Sequence, residues 1–262
     1  MNISIINSYS NRLGSQAGQR KTSTDILADK SHKSAKTNDF INYIPTFGGG
    51  LKNNLKTAKS CLNSFNSEFK YLQSNSKIPL LINRHFDDPK FAQVLEKIKL
   101  LQPKYNSNVG LLRTELQGVY RSFEDYIQRI SFLMQKHKSA NCHECSNIIQ
   151  FKLLQNNIEA HNVSIDVYNI ETHLPKMGGN HQFTVFGLKK GADIESPKTW
   201  GSEAVVVDAW QNISLPAAEA IDLYKKNAGF DPAKHVIFFS GADLVDVDLY
   251  MQGKRNFKII SI

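Results

Sequence analysis

The hydrophobic positions of this chain change their period near residue 140. Before that point, apolar residues recur every three or four positions, which is typical of amphipathic helices. The pattern is clearest at 87–101, where two aspartates and a proline occupy the first turn, and at 109–135. These segments predict a helical subdomain over residues 46–137, with a glycine hinge at its start.

After residue 140 the pattern is mixed. A helix-like run at 145–162 precedes segments that alternate or are rich in Val and Ile, as strands are. The predicted strands are 163–170, 180–188, 203–210 and 235–241, with a turn at 177–179 between the first two. A further helix is marked by Ser214 at an N-cap position, Pro216 in the first turn and Gly229 after the end. This order of elements predicts an α+β fold, with its core over residues 138–262.

The first 45 residues are rich in Ser, Asn, Lys and Thr and lack apolar periodicity, so they predict a disordered polar leader over residues 1–45. Much of the formal net charge of +8 lies near this end, because residues 1–60 contain nine Lys or Arg against three Asp or Glu. The remaining chain is nearly balanced, with 23 basic and 21 acidic residues. This distribution favours a solvated tail over a nucleic-acid groove, since aromatic residues that could stack on bases are not interleaved with the charges. We therefore expect no nucleic-acid partner.

The overall composition, with 41% hydrophobic and 21% charged residues, is ordinary for a globular protein long enough to bury a sizeable core. No apolar run approaches the ~18–20 residues that cross a bilayer, so we expect no membrane span. The first residues lack the basic start and long apolar segment of a secretory signal peptide. Three cysteines are too few, and odd in number, for a disulfide framework, which predicts reduced thiols.

Two of the three cysteines, Cys142 and Cys145, stand three positions apart in the stretch ANCHECSN. Such a pair supplies half of a structural zinc site, but no second pair follows it. The histidines that could complete a site, without regular spacing, are His143, His161, His173 and His181. A thioredoxin-like redox pair would follow a strand, whereas a predicted helix ends before Cys142. We therefore expect neither a metal ion nor another cofactor.

The third interpretation is a thiol nucleophile. Cys142 lies at a predicted helix start, where backbone N–H groups and the helix dipole favour a thiolate. A thiol nucleophile needs a base, and the base needs an acceptor on its other ring nitrogen. His181 begins one predicted strand and Asp208 ends another. If these strands are antiparallel neighbours, the two side chains meet at one edge of the sheet and face the helix that carries Cys142.

Each of these residues also has a plainer interpretation on its own. Asp208 could be a solvated strand end, and His181 could be an exposed or hydrogen-bonded histidine without a role in chemistry. However, a carboxylate that ends an apolar strand is costly to bury without a partner, and an imidazole is one such partner. The order and spacing of the three residues together favour a site.

Three stretches resemble a known family. NCHE (141–144), NHQFTVFGL (180–188) and VVVDAW (205–210) are similar, in this order, to the Cys-His-Asp core of bacterial cysteine-dependent effectors in the papain-like and transglutaminase-like superfamily. The resemblance covers about residues 138–215. It implies an antiparallel sheet packed on the helix that carries the cysteine, with Cys142 as nucleophile, His181 as general base and Asp208 as orienting residue.

This sequence departs from the family pattern at two positions beside the predicted site. The family often has a small residue where this chain has His143, and proline where it has Ala209. For the oxyanion we expect the backbone N–H of Cys142 by geometry, with Gln135 and Asn141 as side-chain candidates. Trp210 is expected to pack under the site, and Glu144 and Cys145 are expected to be helix positions, either packed or solvated.

The resemblance also implies a function. It implies an effector that a specialised bacterial secretion system delivers to the host cytoplasm, with a host protein as substrate and a secretion chaperone as a partner of the leader. Thioester chemistry permits glutamine deamidation or transglutamination, which the resemblance favours, and peptide cleavage as the alternative. A second alternative is a non-enzymatic binding module that acts through the helices of residues 53–137. This alternative predicts that His181 and Asp208 lie apart in the fold.

Overall fold

Helices come first along the described chain, and the strands of an antiparallel sheet follow them. The computed structural model describes residues 49–70, 72–74 and 91–253. The predicted leader, and residues 87–90 at the start of a predicted helix, lie outside these ranges. The helices are α1 (Leu51–Glu68), α2 (Phe91–Leu116), α3 (Phe123–His137), α4 (Cys142–Gln155), α5 (Ala217–Asn227) and α6 (Val247–Met251). None of the helices in the described ranges has the length and apolar character that a bilayer crossing requires.

The sheet has five strands in the order β4-β3-β2-β1-β5, and all neighbours pair antiparallel. The strands are β1 (Ala160–Asn169), β2 (Pro175–Phe186), β3 (Val205–Asp208), β4 (Ile213–Pro216) and β5 (His235–Gly241). Residues 177–179, predicted as a turn, belong to β2. The predicted α+β class is confirmed for the described residues.

The predicted amphipathic segment 109–135 is divided between two helices. α2 ends at Leu116, and Ser122 then begins α3 by accepting the Asp125 N–H at 3.1 Å. A serine N-cap satisfies one of the donors that a helix start leaves open, so it stabilises a new helix at this point. The apolar spacing continues through the break, and the cap decides where the boundary lies.

Two helix boundaries in the second half of the chain also differ from those predicted. The helix predicted over 145–162 ends at Gln155, since Asn157 has a left-handed backbone with a φ of 56°. Ser214, the predicted N-cap of the next helix, lies in β4, and α5 begins directly after Pro216. The prediction missed β4 because this strand has only four residues and all of them are half-buried.

Two cores lie on opposite faces of the sheet. Val205 and Val207 of β3 belong to the core that contains α1, α2, α3 and α4. Val206, between them, belongs to the second core, which contains α5. All three valines are fully buried, which explains the unbroken apolar run of this strand. Residue parity along each strand therefore decides whether a side chain enters the α4 layer or the α5 layer.

Buried polar side chains fix α4 on the sheet. Asn162 of β1 donates to Gln150 Oε1 at 2.9 Å and accepts from Thr184 Oγ1 at 2.8 Å. Gln150 also donates to the Ala160 carbonyl at 3.0 Å. Since a shift of the helix would leave these buried groups unpaired, the network holds one register of α4 on β1 and β2. The start of α4 is thereby placed near one end of the sheet.

Candidate active site

Cys142 lies at the first position of α4, as the sequence predicted. Asn141 is the N-cap in extended backbone, and its carbonyl accepts the Cys145 N–H at 3.1 Å. Cys142 is partly exposed, whereas Cys145, one turn later, is buried in the core like Cys61. The N–H groups of the first turn and the helix dipole favour negative charge near the Cys142 sulfur. The predicted helix position of Cys145 is confirmed, and the structure shows it packed rather than solvated.

Glu144 holds the start of this helix. Its side chain is 1% exposed and accepts the Asn141 N–H at 2.8 Å, as part of a capping box. Its other oxygen accepts from Arg113 Nε at 3.1 Å. Ser74 donates to Asn141 Oδ1 at 2.7 Å from outside the helix. These contacts fix the backbone that carries Cys142.

His181 and Asp208 are brought together by the pairing of β2 with β3. Thr184 lies opposite Val207 in this antiparallel pair, so the start of one strand lies beside the end of the other. Nε2 of His181 donates to Oδ2 of Asp208 at 2.6 Å, and the two residues are only 6% and 2% exposed. The adjacency predicted for these two strands is confirmed.

The face of the sheet on which this pair lies differs from the prediction. We expected both side chains to face α4, but they enter the α5 layer, where the rings of His181 and Tyr224 have centroids 5.0 Å apart. Strand parity is the reason, since Asp208 follows Val206 by two positions and shares its face. Cys142, by contrast, packs against the core of the α4 layer.

Cys142 and His181 interact because β3 is short. This strand ends at Asp208, and its ladder with β2 begins only at Thr184, three residues after His181. Beyond the end of β3, the Cys142 thiol is near enough to the imidazole of His181 to raise the pKa of that ring. Nδ1, the ring nitrogen that does not bond Asp208, is buried and has no hydrogen-bond partner among the described residues. The imidazole therefore lies between a carboxylate and a thiol.

Opposing effects set the protonation of His181. Burial lowers the pKa of the imidazole, but the charge of Asp208 and the hydrogen bond to it raise the pKa more, and Cys142 adds to the rise. The result is a pKa of about 10 for His181. The ring is therefore protonated at neutral pH and carries a positive charge near Cys142.

Asp208 has two further hydrogen-bond donors. Tyr224 of α5 donates its hydroxyl to Oδ2 at 3.0 Å, and the Gln211 N–H donates to Oδ1 at 2.9 Å. Burial, followed by the charge of Asp208, raises the pKa of Tyr224 well above its ordinary value, so the phenol remains a donor. The buried carboxylate is thereby satisfied. Sequence reasoning missed Tyr224, because apolar spacing on α5 marks a buried face and says nothing of what a hydroxyl on that face contacts.

Trp210 covers His181 from the side of the β3–β4 turn. The two rings have centroids 4.9 Å apart with an interplanar angle of 37°. Nε1 of Trp210 donates to Ser74 Oγ at 2.8 Å, and Ser74 in turn donates to Asn141. A chain of contacts therefore joins the imidazole to the N-cap residue beside Cys142. The predicted packing of Trp210 against the site is confirmed.

His143, the residue after Cys142, is held by polar contacts. Its Nδ1 lies 3.0 Å from Gln182 Oε1, and its Nε2 lies 3.3 Å from the Tyr126 hydroxyl. Gln182 also donates to Ser146 Oγ at 2.8 Å. Because Gln182 Oε1 can only accept, these partners fit the tautomer that carries a proton on Nδ1 of His143. The residue after Cys142 is thereby tied to the residue after His181.

The two side-chain candidates for the oxyanion differ in their surroundings. Oδ1 of Asn141 accepts from Ser74, whereas Gln135 lies on α3 with no hydrogen bond to any described residue of the site. The backbone N–H of Cys142, at the first position of α4, remains the donor that we predict. Within the described ranges, no three His, Cys, Asp or Glu side chains are grouped as a metal site would require.

Comparisons with known proteins were made at three levels, and no protein-family model, curated protein or solved structure matches this chain. The interpretation of the site therefore depends on its own geometry. That geometry comprises a partly exposed thiol at a helix start, a buried imidazole, and a buried carboxylate with three donors.

Proposed function

We propose that this chain is a cysteine-dependent acyl-transfer enzyme, with Cys142 as nucleophile, His181 as general acid and base, and Asp208 as orienting residue. One observation carries the proposal. His181 is buried with Nε2 bonded to Asp208 at 2.6 Å, and its buried Nδ1 has no other hydrogen-bond partner among the described residues, with the Cys142 thiol near the ring. This is the arrangement that activates a thiol for nucleophilic catalysis.

The reaction would proceed in two steps. The Cys142 thiolate attacks the carbon of a carboxamide, the C–N bond breaks, and His181 gives its proton to the departing nitrogen, which leaves a thioester. Water or an amine then attacks the thioester, His181 takes the proton from this nucleophile, and the Cys142 thiolate is released. Asp208 stabilises the imidazolium and holds the ring in one orientation throughout.

For the carboxamide we favour the side chain of glutamine in a host protein, so that the reaction is deamidation or transglutamination. The resemblance of the three short motifs supports this choice. A cavity of about 30 Å³ lies beside His181 and is lined also by Gly179, Trp210 and Tyr224. It can hold a water molecule, the nucleophile that hydrolysis of the thioester needs.

The biological setting is also part of the proposal. The same resemblance supports a bacterial effector that a specialised secretion system delivers to the host cytoplasm. There the reducing environment would keep the free thiols Cys61, Cys142 and Cys145 reduced. A secretion chaperone would bind the polar leader of residues 1–45.

Intact-mass and peptide mass spectrometry test the reaction. Wild type and Cys142→Ala would each be incubated with eukaryotic cell lysate, with and without the primary amine cadaverine. A gain of about one dalton at a glutamine identifies deamidation, an amine adduct identifies transglutamination, and new chain ends identify a protease, because one acyl-enzyme chemistry leads to all three. If wild type and Cys142→Ala gave identical profiles, the proposal would be rejected.

The non-enzymatic alternative makes a geometric prediction that the structure does not meet. A binding module acting through the helices leaves no reason for His181 and Asp208 to be paired, yet they form a buried hydrogen bond of 2.6 Å. The cysteine protease remains the second candidate, since the same three side chains would cleave a peptide bond by the same steps.

A further inference from the structure

A cavity of about 220 Å³ lies beside the start of α4. The last turn of α1 and the residues after it form one wall, and the first turn of α4 and the residues after β3 form the other. The apolar part of this wall consists of Phe65, Phe69, Leu72, Ala140, Ala209 and Trp210. This cavity is much larger than the one of about 30 Å³ beside His181, and the proposed reaction does not use it.

The residues of the proposed site do not line the cavity themselves, but each of the three has a neighbour in its wall. Cys145 in its wall lies one helical turn after Cys142, which places the two Cβ atoms about 5–6 Å apart. Ala209 follows Asp208 directly in the chain. Trp210 contacts the imidazole of His181 at 4.9 Å between ring centroids and lines the cavity as well. A side chain of a substrate attached to Cys142 would therefore be long enough to reach the cavity.

The chemistry of the wall selects what can enter. The lining side chains are uncharged, and Phe65, Phe69 and Trp210 are almost fully buried in the protein. The wall is mixed, with about as much polar as apolar surface, and two of its polar groups pair with each other, since Asn66 Nδ2 donates to Asn212 Oδ1 at 2.8 Å. A charged group in this space would lose its hydration without gaining a counter-charge, which is costly. An aromatic or branched aliphatic group would gain from leaving water.

The volume fits such a group. A cavity of roughly 150 Å³ lined by apolar residues binds benzene, so the volume of about 220 Å³ accommodates an aromatic or branched aliphatic side chain. We propose that this cavity is a specificity pocket, which binds an uncharged aromatic or branched aliphatic side chain of the substrate protein next to the residue acylated by Cys142. The inference depends on the proposed function, because it takes Cys142 as the point of attachment.

Two alkylating reagents test the pocket without knowledge of the substrate. Iodoacetamide and N-benzyliodoacetamide carry the same reactive group, and only the second carries an aromatic ring. For each reagent, the rate at Cys142 is divided by its rate with free cysteine, so that intrinsic reactivity cancels. We expect the benzyl reagent to show an advantage of roughly tenfold or more at Cys142, from the ~1.5–3 kcal/mol gained by burying a ring of this size.

A pair of variants tests whether the faster reaction of the benzyl reagent depends on this cavity. Asn66 is exposed at the edge of the cavity, so Asn66→Trp blocks the entrance without disturbing the core. Asn63 is an exposed asparagine of the same helix that does not line the cavity, so Asn63→Trp is the matched control. We expect Asn66→Trp to abolish the advantage of the benzyl reagent, and Asn63→Trp to preserve both this advantage and the wild-type iodoacetamide rate at Cys142.

The results of these experiments distinguish a failure of the proposed specificity pocket from a failure of the proposed function. An equal corrected rate for the two reagents in wild type, or an advantage that survives Asn66→Trp, overturns the pocket and leaves the proposed function standing. Iodoacetamide rates at Cys142 no higher than those at Cys61 and Cys145 overturn the proposed function itself.

Discussion

His181 donates from Nε2 to Oδ2 of Asp208 at 2.6 Å, in a place where neither side chain is accessible to bulk water. The contact fixes the imidazole in one orientation and leaves Nδ1 for Cys142. A buried histidine with a buried acid on one side and a partly exposed thiol on the other has a defined chemical behaviour, which can be measured without knowing the substrate.

Selective alkylation is the first prediction. We expect iodoacetamide to modify Cys142 at neutral pH more than roughly tenfold faster than the other two cysteines, because an imidazolium lies beside this thiol. Cys61 is fully buried, and burial raises its pKa to about 12, so it has almost no thiolate. Peptide mapping by mass spectrometry gives the three rates. His181→Asn should remove most of the difference in alkylation rate between Cys142 and the other two cysteines. Equal, slow rates at all three thiols in wild type would contradict the prediction.

Asp208→Asn should affect both stability and reactivity. The substitution leaves the protonated ring of His181 without its buried counter-charge, so we expect a loss of about 3 kcal/mol in the free energy of unfolding. For the same reason, the pKa of His181 should fall towards its ordinary value, as measured by NMR of the imidazole nitrogens. Acyl transfer should slow by roughly 10³–10⁴-fold, as expected when the ring loses its orienting carboxylate.

The matched control for this variant is Asp222→Asn. Asp222 lies on α5, and its side chain is 79% exposed. We expect this control to keep wild-type stability, His181 titration and activity. A wild-type imidazole titration in Asp208→Asn would show that Asp208 does not govern His181.

Tyr224→Phe tests the contribution of the Tyr224 hydroxyl, the second hydrogen-bond donor to the Asp208 carboxylate. The change removes the 3.0 Å hydrogen bond to Asp208 Oδ2 and keeps the ring that packs on His181 and Phe183. We expect a loss of about 1.5–3 kcal/mol in the free energy of unfolding, the usual contribution of a hydrogen bond to a charged group. Urea unfolding measures the loss, and Tyr168→Phe, at a partly exposed tyrosine of β1, is the control. Equal stability of the two variants would mean that the Tyr224 hydroxyl does not stabilise Asp208.

The stability of the protein should decline between about pH 6.5 and pH 10 because of His181. Its pKa is raised from 6.5 to about 10 in the folded state. Protonation of this ring therefore stabilises the fold fully below pH 6.5, and the stabilisation is lost as pH rises through the folded-state pKa. We expect the free-energy gap between wild type and His181→Asn, obtained from urea unfolding, to shrink across this window by an amount on the order of several kcal/mol.

The control for this pH dependence is His173→Asn. His173 is exposed and has a left-handed backbone with a φ of 54°, which asparagine tolerates. The difference in free energy of unfolding between wild type and His173→Asn should stay constant over the same pH range. If the difference in free energy of unfolding between wild type and His181→Asn were also constant with pH, the raised pKa of His181 would be refuted.

Much of the site could be predicted from the sequence, because its main clues are local. A change from polar to helix-like residues marks the helix start at Cys142, and an apolar strand that ends in a charged residue marks Asp208 as a side chain in need of a partner. Two strands that follow one another along the chain are usually neighbours, so their order was enough to bring His181 to Asp208.

The rest could not be predicted, because it depends on packing between layers. Strand parity shows that His181 and Phe183 share a face, but it does not show whether α4 or α5 covers that face. Tyr224 could be placed on a buried stripe of α5, yet its bond to Asp208 depends on where that helix lies against the sheet. The cavity beside Trp210 involves residues from four separate parts of the chain and has no signal in any one of them.

The early end of β3 has a consequence for when this chemistry can exist. Cys142 belongs to one layer of the protein and His181 to the other, and they interact only around the end of a four-residue strand. Their interaction needs both cores to be packed at once, so loosening either layer separates the two groups before the whole chain unfolds. In a chain that is newly made, or threaded through a narrow channel, the Cys142 thiol would therefore be unreactive. It would become reactive only when folding is complete.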